Sequence, residues 1–190
     1  MKNLLLVLIS VLTISVTNAQ SGQTEVGSVM LPNSMKAGGS DLVLNGAGIR
    51  KKALVLKLYS GGLYLTQKSS DDNGIINADN AMAMKLVITS SFVSSEAMSE
   101  AVEDGFDASM DGDTSALSSE IAKFITFFSD EIVEDDTFDI TYQPGKGVVC
   151  YKNNVELGTV TGMDFKKALF GIWLGDDPVD KKLKKAMLGK

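Results

Sequence analysis

The chain has 190 residues, 44% of them apolar, and a formal charge of −6, enough for one domain with a substantial core. It contains no His and one Cys, which excludes a conventional zinc site, a histidine-based catalytic triad and an internal disulfide. The acidic balance argues against nucleic acid as a partner.

Met1-Lys2-Asn3 is a short basic start, Leu4 to Val16 is apolar apart from Ser and Thr, and Thr17-Asn18-Ala19 supplies small residues for a cleavage site. This is the pattern of a secretory signal peptide, residues 1–19, and it is too short for a good membrane span. The expectation is a periplasmic or secreted protein whose residues 20–190 form a single domain. No Cys follows the cleavage site, which argues against a lipid anchor there. No later segment is long and apolar enough to cross a bilayer, so no stable membrane insertion is expected.

Glu25 to Leu31 reads as a first strand ended by Pro32-Asn33, and Asp41 to Leu44 as a short strand before a small-residue corner at Gly46 and Gly48. Ala53–Leu58 and Gly62–Thr66 are apolar and β-rich, consistent with one strand bent at Gly61-Gly62. Residues 67–81 read as an exposed loop. From Ala83 to Thr89, Met84, Leu86 and Ile88 alternate with Lys85, Val87 and Thr89, the period of a strand with one buried face.

Two helices follow. Ser94 or Ser95 can cap the first, and Met98, Val102, Gly105 or Phe106, and Met110 fall at helical spacing. The second carries Leu117, Ile121, Phe124, Ile125, Phe128 and Ile132 as an apolar stripe. Residues 137–160 read as hairpins turning at Pro144-Gly145-Lys146-Gly147 and at Asn153-Asn154. Cys150, inside an apolar run there, is expected to be a buried inert thiol. Thr161-Gly162-Met163-Asp164 resembles a capping box opening a helix with Phe165, Leu169, Ile172 and Trp173 on one face, stopped by Gly175. Asp177-Pro178 suggests the cap and first turn of a last helix closing at Gly189, with Lys181, Lys182, Lys184 and Lys185 on its solvated face. Antiparallel strands with helices in separate blocks predict an α+β domain: a large antiparallel sheet with helices packed on one face.

Of the 18 cationic side chains, 17 are Lys and one is Arg50. A guanidinium stays charged at ordinary pH and can grip a carboxylate or phosphate through two parallel N–H bonds, which an ammonium cannot do. Arg50 is therefore the first candidate for a binding residue, with a surface arginine as the plain alternative. Asp107, Ser109, Asp111, Gly112 and Asp113 copy the first half of a calcium loop. Its twelfth position, where a bidentate Glu is needed, holds Ser118, so the segment reads as a polar interhelix loop. No cofactor or metal is expected. A Ser or Cys nucleophile would lack its usual base, and no catalytic residue is assigned.

Gly46-Ala47-Gly48-Ile49-Arg50, then Lys57-Leu58-Tyr59-Ser60-Gly61-Gly62-Leu63-Tyr64-Leu65, then Leu169-Phe170-Gly171-Ile172-Trp173-Leu174-Gly175 with Asp177-Pro178, resemble the chalcone isomerase family, and within it the secreted bacterial chalcone isomerase-like members. The resemblance spans about Val26 to Gly189. It implies an open-faced β-sandwich with a ligand cleft between sheet and helices. It also implies a role for Arg50, because the matching arginine stabilises a phenolate in catalytic members and holds a fatty-acid carboxylate in non-catalytic ones. The catalysts further use a Thr, a Tyr and an Asn, and those positions here hold Tyr59, Met98 and Gly105. The cleft thus keeps its charge anchor and becomes greasier. The leading expectation is non-catalytic binding of a small amphipathic carboxylate such as a fatty acid, with Arg50, Tyr59 and Met98 as ligand-binding residues. Two alternatives stay open: an isomerase or intramolecular lyase of chalcone isomerase type acting on an unknown substrate, and a structural or partner-binding domain with a closed cleft.

Overall fold

The computed structural model describes residues 22–53 and 55–190; the expected signal peptide lies outside the described residues. Seven strands, β3 (Ser34–Ala37), β4 (Ser40–Lys52), β5 (Leu56–Leu65), β6 (Met82–Ile88), β7 (Thr137–Gln143), β8 (Gly147–Lys152) and β9 (Val155–Val160), pair in chain order as one antiparallel meander. A separate hairpin of β1 (Gln23–Val26) and β2 (Val29–Pro32) precedes it. The helices are α1 (Asp72–Asn77), α2 (Ser95–Ser109), α3 (Ser118–Ile125), α4 (Met163–Leu174) and α5 (Lys181–Met187). The result is the expected α+β architecture, an open, curled antiparallel sheet with helices on one face.

The face each strand residue occupies follows from the twofold period of a strand. On β6, Met82, Met84, Leu86 and Ile88 join the main core with Phe106 of α2, Phe124 of α3, and Phe165 and Leu169 of α4. Phe106, Phe124, Phe128, Phe138 and Phe165 stack through edge-on and tilted contacts, with ring centroids 5.2–6.3 Å apart. The alternation read on β6 is real, but its second face is also covered. Val87 packs with Val26 and Leu31 of the hairpin, Ala83 packs with Leu42 and Tyr64, and Lys85 pairs with Asp139 at 2.7 Å.

Several expected boundaries change. The first strand breaks at Gly27, whose φ of +67° permits a tight turn. Gly46 and Gly48 form no corner, because β4 continues through them after a bulge at Asn45. The 67–81 loop contains α1, capped by Asp71. The stripe after Leu117 stops being helical at Phe128, although Ile132 is still buried. The capping box at 161–164 does not form, since Gly162 caps α4 without a side-chain bond. The cap of α5 is Asp180 rather than Asp177, and Pro178 precedes the helix. Of the four lysines on α5, Lys184 leaves the solvated face to pair with Asp72 at 2.6 Å and to donate to the Gly175 carbonyl at 2.9 Å. Cys150 is fully buried, and burial pushes its thiol up to about 12.

Nothing in the sequence pattern marks Lys166, yet it is fully buried on α4. Its Nζ donates to the carbonyls of Ile75, Ile76 and Ala78 at 3.0, 2.6 and 2.9 Å, closing the C-terminal end of α1. It also stands 5.3 Å from the centre of the Tyr142 ring.

Candidate functional site

The site begins with a strand built of small residues. A bulge between Leu44 and Gly46 resets the alternation of β4, so that Gly46, Gly48 and Arg50 face the helices while Ala47 and Ile49 face the β1–β2 hairpin. A Cβ on Gly46 would lie 2.2 Å from the Ala186 carbonyl oxygen, and one on Gly48 would lie 2.9 Å from the Ala186 Cβ. The glycines therefore let α5 lie directly on the strand. That close packing brings the N-terminal cap of α5, Asp180, against Arg50.

Asp180 is fully employed. Its Oδ1 accepts from the amides of Lys182 and Leu183 at 2.8 and 3.1 Å, and its Oδ2 accepts from the Lys51 amide at 3.2 Å. Burial alone would push this carboxyl up, but the three amides and the nearby Arg50 charge hold it below the usual Asp value. Arg50 itself is loosely held. Its Nη1 donates to the Lys51 carbonyl and stands 3.8 Å from Asp180 Oδ2, beyond hydrogen-bond range. With its side chain only 17% exposed, the guanidinium keeps Nε and Nη2 without a protein partner among the described residues.

Tyr59 is the residue directly opposite Arg50 in the β4–β5 ladder. It is buried, and its hydroxyl accepts from Trp173 Nε1 at 2.9 Å. Burial pushes the phenol up to about 12, so at neutral pH it is a hydrogen-bond donor and no base. Met98 is buried on the sheet-facing side of α2. Arg50, Tyr59 and Met98 all line one cavity of about 570 Å³ between the ends of β4 and β5, the face of α2 and the 177–179 segment. Leu56, Leu58, Val93, Ala97, Ala101 and Val179 supply apolar wall, while Lys52, Asp104 and Asp177 add charge.

Two neighbouring hollows differ in character. A 670 Å³ groove shares Ala108 and Asp177 with this cavity, but is lined by Asp72, Asp111, Asp164 and Asp176 and suits no anion. Another of 670 Å³ lies on the far side of Arg50, next to Lys51, Lys181 and Lys182. Arg50 thus stands between two hollows, and the second combines these lysines with Val26, Ile49, Leu183 and Ala186.

Sequence reasoning missed three participants: Trp173, read only as core; Asp180, the carboxylate 3.8 Å from Arg50; and Asp104. An Asp immediately before a lysine-rich helical run is a cap signal that could have found Asp180. The Gly105 position also gains a physical reason. A Cβ there would lie 2.8 Å from Ile172 Cγ2, so α2 and α4 meet at this glycine and the spacing leaves no room for a polar side chain. The 107–118 segment forms the end of α2, a turn and a short 3₁₀ stretch, with the Asp113 carboxylate engaged by the Ser115 amide and hydroxyl.

The model of a family described as chalcone isomerase-like matches residues 23–189. Among solved structures, the crystal structure of a fatty-acid binding protein from Arabidopsis thaliana is similar, with a TM-score of 0.67 over 84% of this chain and 91% of that one. The two sequences are 20% identical, so the likeness is one of fold. No curated protein matches the chain.

Proposed function

This chain belongs to the chalcone isomerase-like family, and we propose that it binds a small amphipathic carboxylate of the fatty-acid class without transforming it. Arg50 holds the carboxylate, and the alkyl chain lies against Leu58, Val93, Met98 and the rest of the apolar wall. The observation that carries this reading is the conjunction of an apolar cavity of about 570 Å³ with a mostly buried arginine that has unpartnered N–H donors. The volume falls within the range of small-molecule pockets, roughly 300–1,000 Å³, whose walls are apolar and whose few polar groups fix orientation. The solved relative named for fatty-acid binding lends support at the level of the fold. Tyr59, protonated and oriented by Trp173, still has its own O–H to give to the same carboxylate.

Titration with a labelled fatty acid tests it. Arg50→Ala should weaken binding by about 1.5–3 kcal/mol, as for a charge-assisted pair in a partly dry site. Arg50→Lys should lose less, because the charge remains and the fork does not. Tyr59→Phe should lose about 1 kcal/mol, and Lys51→Ala very little. Each added CH₂ should tighten binding by about 0.8 kcal/mol until the cavity is full. Equal affinity across these four variants would make Arg50 an ordinary structural residue and remove the reading.

A further inference from the structure

The rim of the cavity combines apolar and cationic side chains that the core does not use. Val55 and Phe92, 81% and 69% exposed, are the most exposed large apolar side chains among the described residues. Val55 lies in the β4–β5 turn and Phe92 on the β6–α2 connection. The ladder brings these segments together: beyond β6, the Thr89 amide donates to the Leu58 carbonyl at 3.0 Å, and Leu56 and Phe92 line the same opening.

Lysines surround this apolar tip. Lys51, Lys52 and Lys57 are exposed, and Lys51 stands directly opposite Lys57 in the ladder. Like charges directly opposite destabilise a strand pair, so folding alone does not favour this arrangement. Lys181 and Lys182 of α5, also exposed, reach the same end past Ala53. With Arg50, six of the 18 cations of a chain whose net charge is −6 gather here, drawn from segments about 125 residues apart in the sequence. Of the acids nearby, Asp180 accepts from the α5 amides beside Arg50, Glu134 accepts from the Ser91 amide at 2.9 Å, and Asp104 and Asp177 are exposed in the cavity lining, so the lysines at the tip outnumber these carboxylates without being free of them.

We propose that this end of the molecule docks reversibly on a bilayer surface rich in anionic headgroups. Val55 and Phe92 enter the interfacial layer, and Lys51, Lys52, Lys57, Lys181 and Lys182 lie over the headgroups. The cavity mouth then opens onto the lipid. No helix among the described residues is long and apolar enough to cross a membrane, so the association is peripheral. Neither component suffices alone: two apolar side chains bury little area, and each lysine near an anionic surface contributes about fivefold in affinity. Docking rests on the side chains of the tip. Only the delivery of a ligand to the cavity rests on the fatty-acid reading.

The test uses the full chain with vesicles of phosphatidylcholine alone and of phosphatidylcholine mixed equally with phosphatidylglycerol, read by flotation. The wild type should float with the anionic vesicles only, and should be released by about 0.5 M salt, where surface charge is screened. Val55→Asp should weaken this partition about tenfold, and Lys57→Glu at least fivefold. Neither residue lines the cavity, so both variants should bind a labelled fatty acid in solution as the wild type does. Absence of wild-type flotation, or flotation that both variants retain, would overturn the proposal. A concentration-dependent dimer abolished by Val55→Asp, without vesicle binding, would assign the tip to a second copy and overturn it equally. Vesicle docking without any fatty-acid titration would leave the docking standing and remove the proposed ligand instead.

Discussion

Lys166, fully buried on α4, and Arg50, mostly buried near the end of β4, are two cations treated in opposite ways. Lys166 is fully buried with three backbone carbonyls within 3.0 Å, so its donors are saturated by the fold. Arg50 has one carbonyl, a carboxylate at 3.8 Å that three amides already claim, and an open cavity beside it. A saturated buried cation is a structural staple. A mostly buried cation whose spare donors open onto a cavity is a place where an anion can gain hydrogen bonds. The contrast separates stability from binding, and the variants at Lys166 and Arg50 should each move one and spare the other.

The largest effect is expected at the staple. Lys166→Met leaves the end of α1 without its donor and should lower the unfolding free energy by about 2–4 kcal/mol in urea denaturation, with fatty-acid affinity within a factor of about two. Arg50→Ala should behave inversely. Asp180 keeps its three amides, so stability should move by less than about 1 kcal/mol while binding falls. Stability loss at Arg50 equal to that at Lys166 would erase the distinction.

Gly105→Asn comes next. Overpacking against Ile172 should cost about 1–3 kcal/mol, and Ile172→Ala in the same chain should recover part of it. The double variant also asks whether a polar group at position 105 confers chemistry. No chalcone cyclisation is expected in the wild type, because one arginine without the orienting groups supplies only part of the required stabilisation. A rate more than about a hundredfold above the uncatalysed one would restore the enzymatic alternative. Tyr59→Phe takes the acceptor from Trp173 Nε1 and should cost about 1 kcal/mol of stability without ligand, a loss shared by the free and the bound protein and therefore separate from any binding loss due to its hydroxyl.

The smallest effect is a pH slope. Burial lowers Lys166 to about 8, below its value in an unfolded chain. Between that pH and the unfolded value the unfolded chain holds a proton that the folded chain has released, so stability should rise with pH from about 8, by at most about 1.4 kcal/mol per unit. The Cys150 thiol, raised to about 12, works in the opposite sense from its ordinary value near 9. Tyr59 and Tyr142, also raised to about 12, do so from about 10. The unfolded chain loses those protons first, so stability should turn down above about pH 9–10. Lys166→Met should abolish the initial rise and keep the later fall, as read by denaturation at closely spaced pH values.

Much of the frame was legible because local signals carried it. The turns at Pro144-Gly145 and Asn153-Asn154, and the Ser94 cap, which accepts from the Ala97 amide at 3.2 Å, lie where the sequence puts them. The misplacements are tertiary. Nothing local shows that Gly46 and Gly48 are flattened to receive α5, that a bulge at Asn45 resets the faces of β4, or that a lysine, ordinarily a surface residue, is sealed under α1. The rarity of Arg50 was visible in composition alone, and Arg50, Tyr59 and Met98 do line one cavity. Its looseness was not visible, since that depends on Asp180, brought there by a helix 130 residues away in the chain.

The most direct test of the account is the ionisation of the bound ligand. A fatty acid carrying ¹³C at the carboxyl, bound to the protein and followed by NMR as pH falls, reports the charge its head group feels. If Arg50 holds the carboxylate, the bound signal in the wild type should stay that of the ionised form below the usual carboxylate range, near 4–5. Arg50→Ala should move its midpoint upward by at least one unit. A bound carboxyl that titrates at the same pH in both proteins would show that the ligand's head lies elsewhere and that Arg50 is not its anchor.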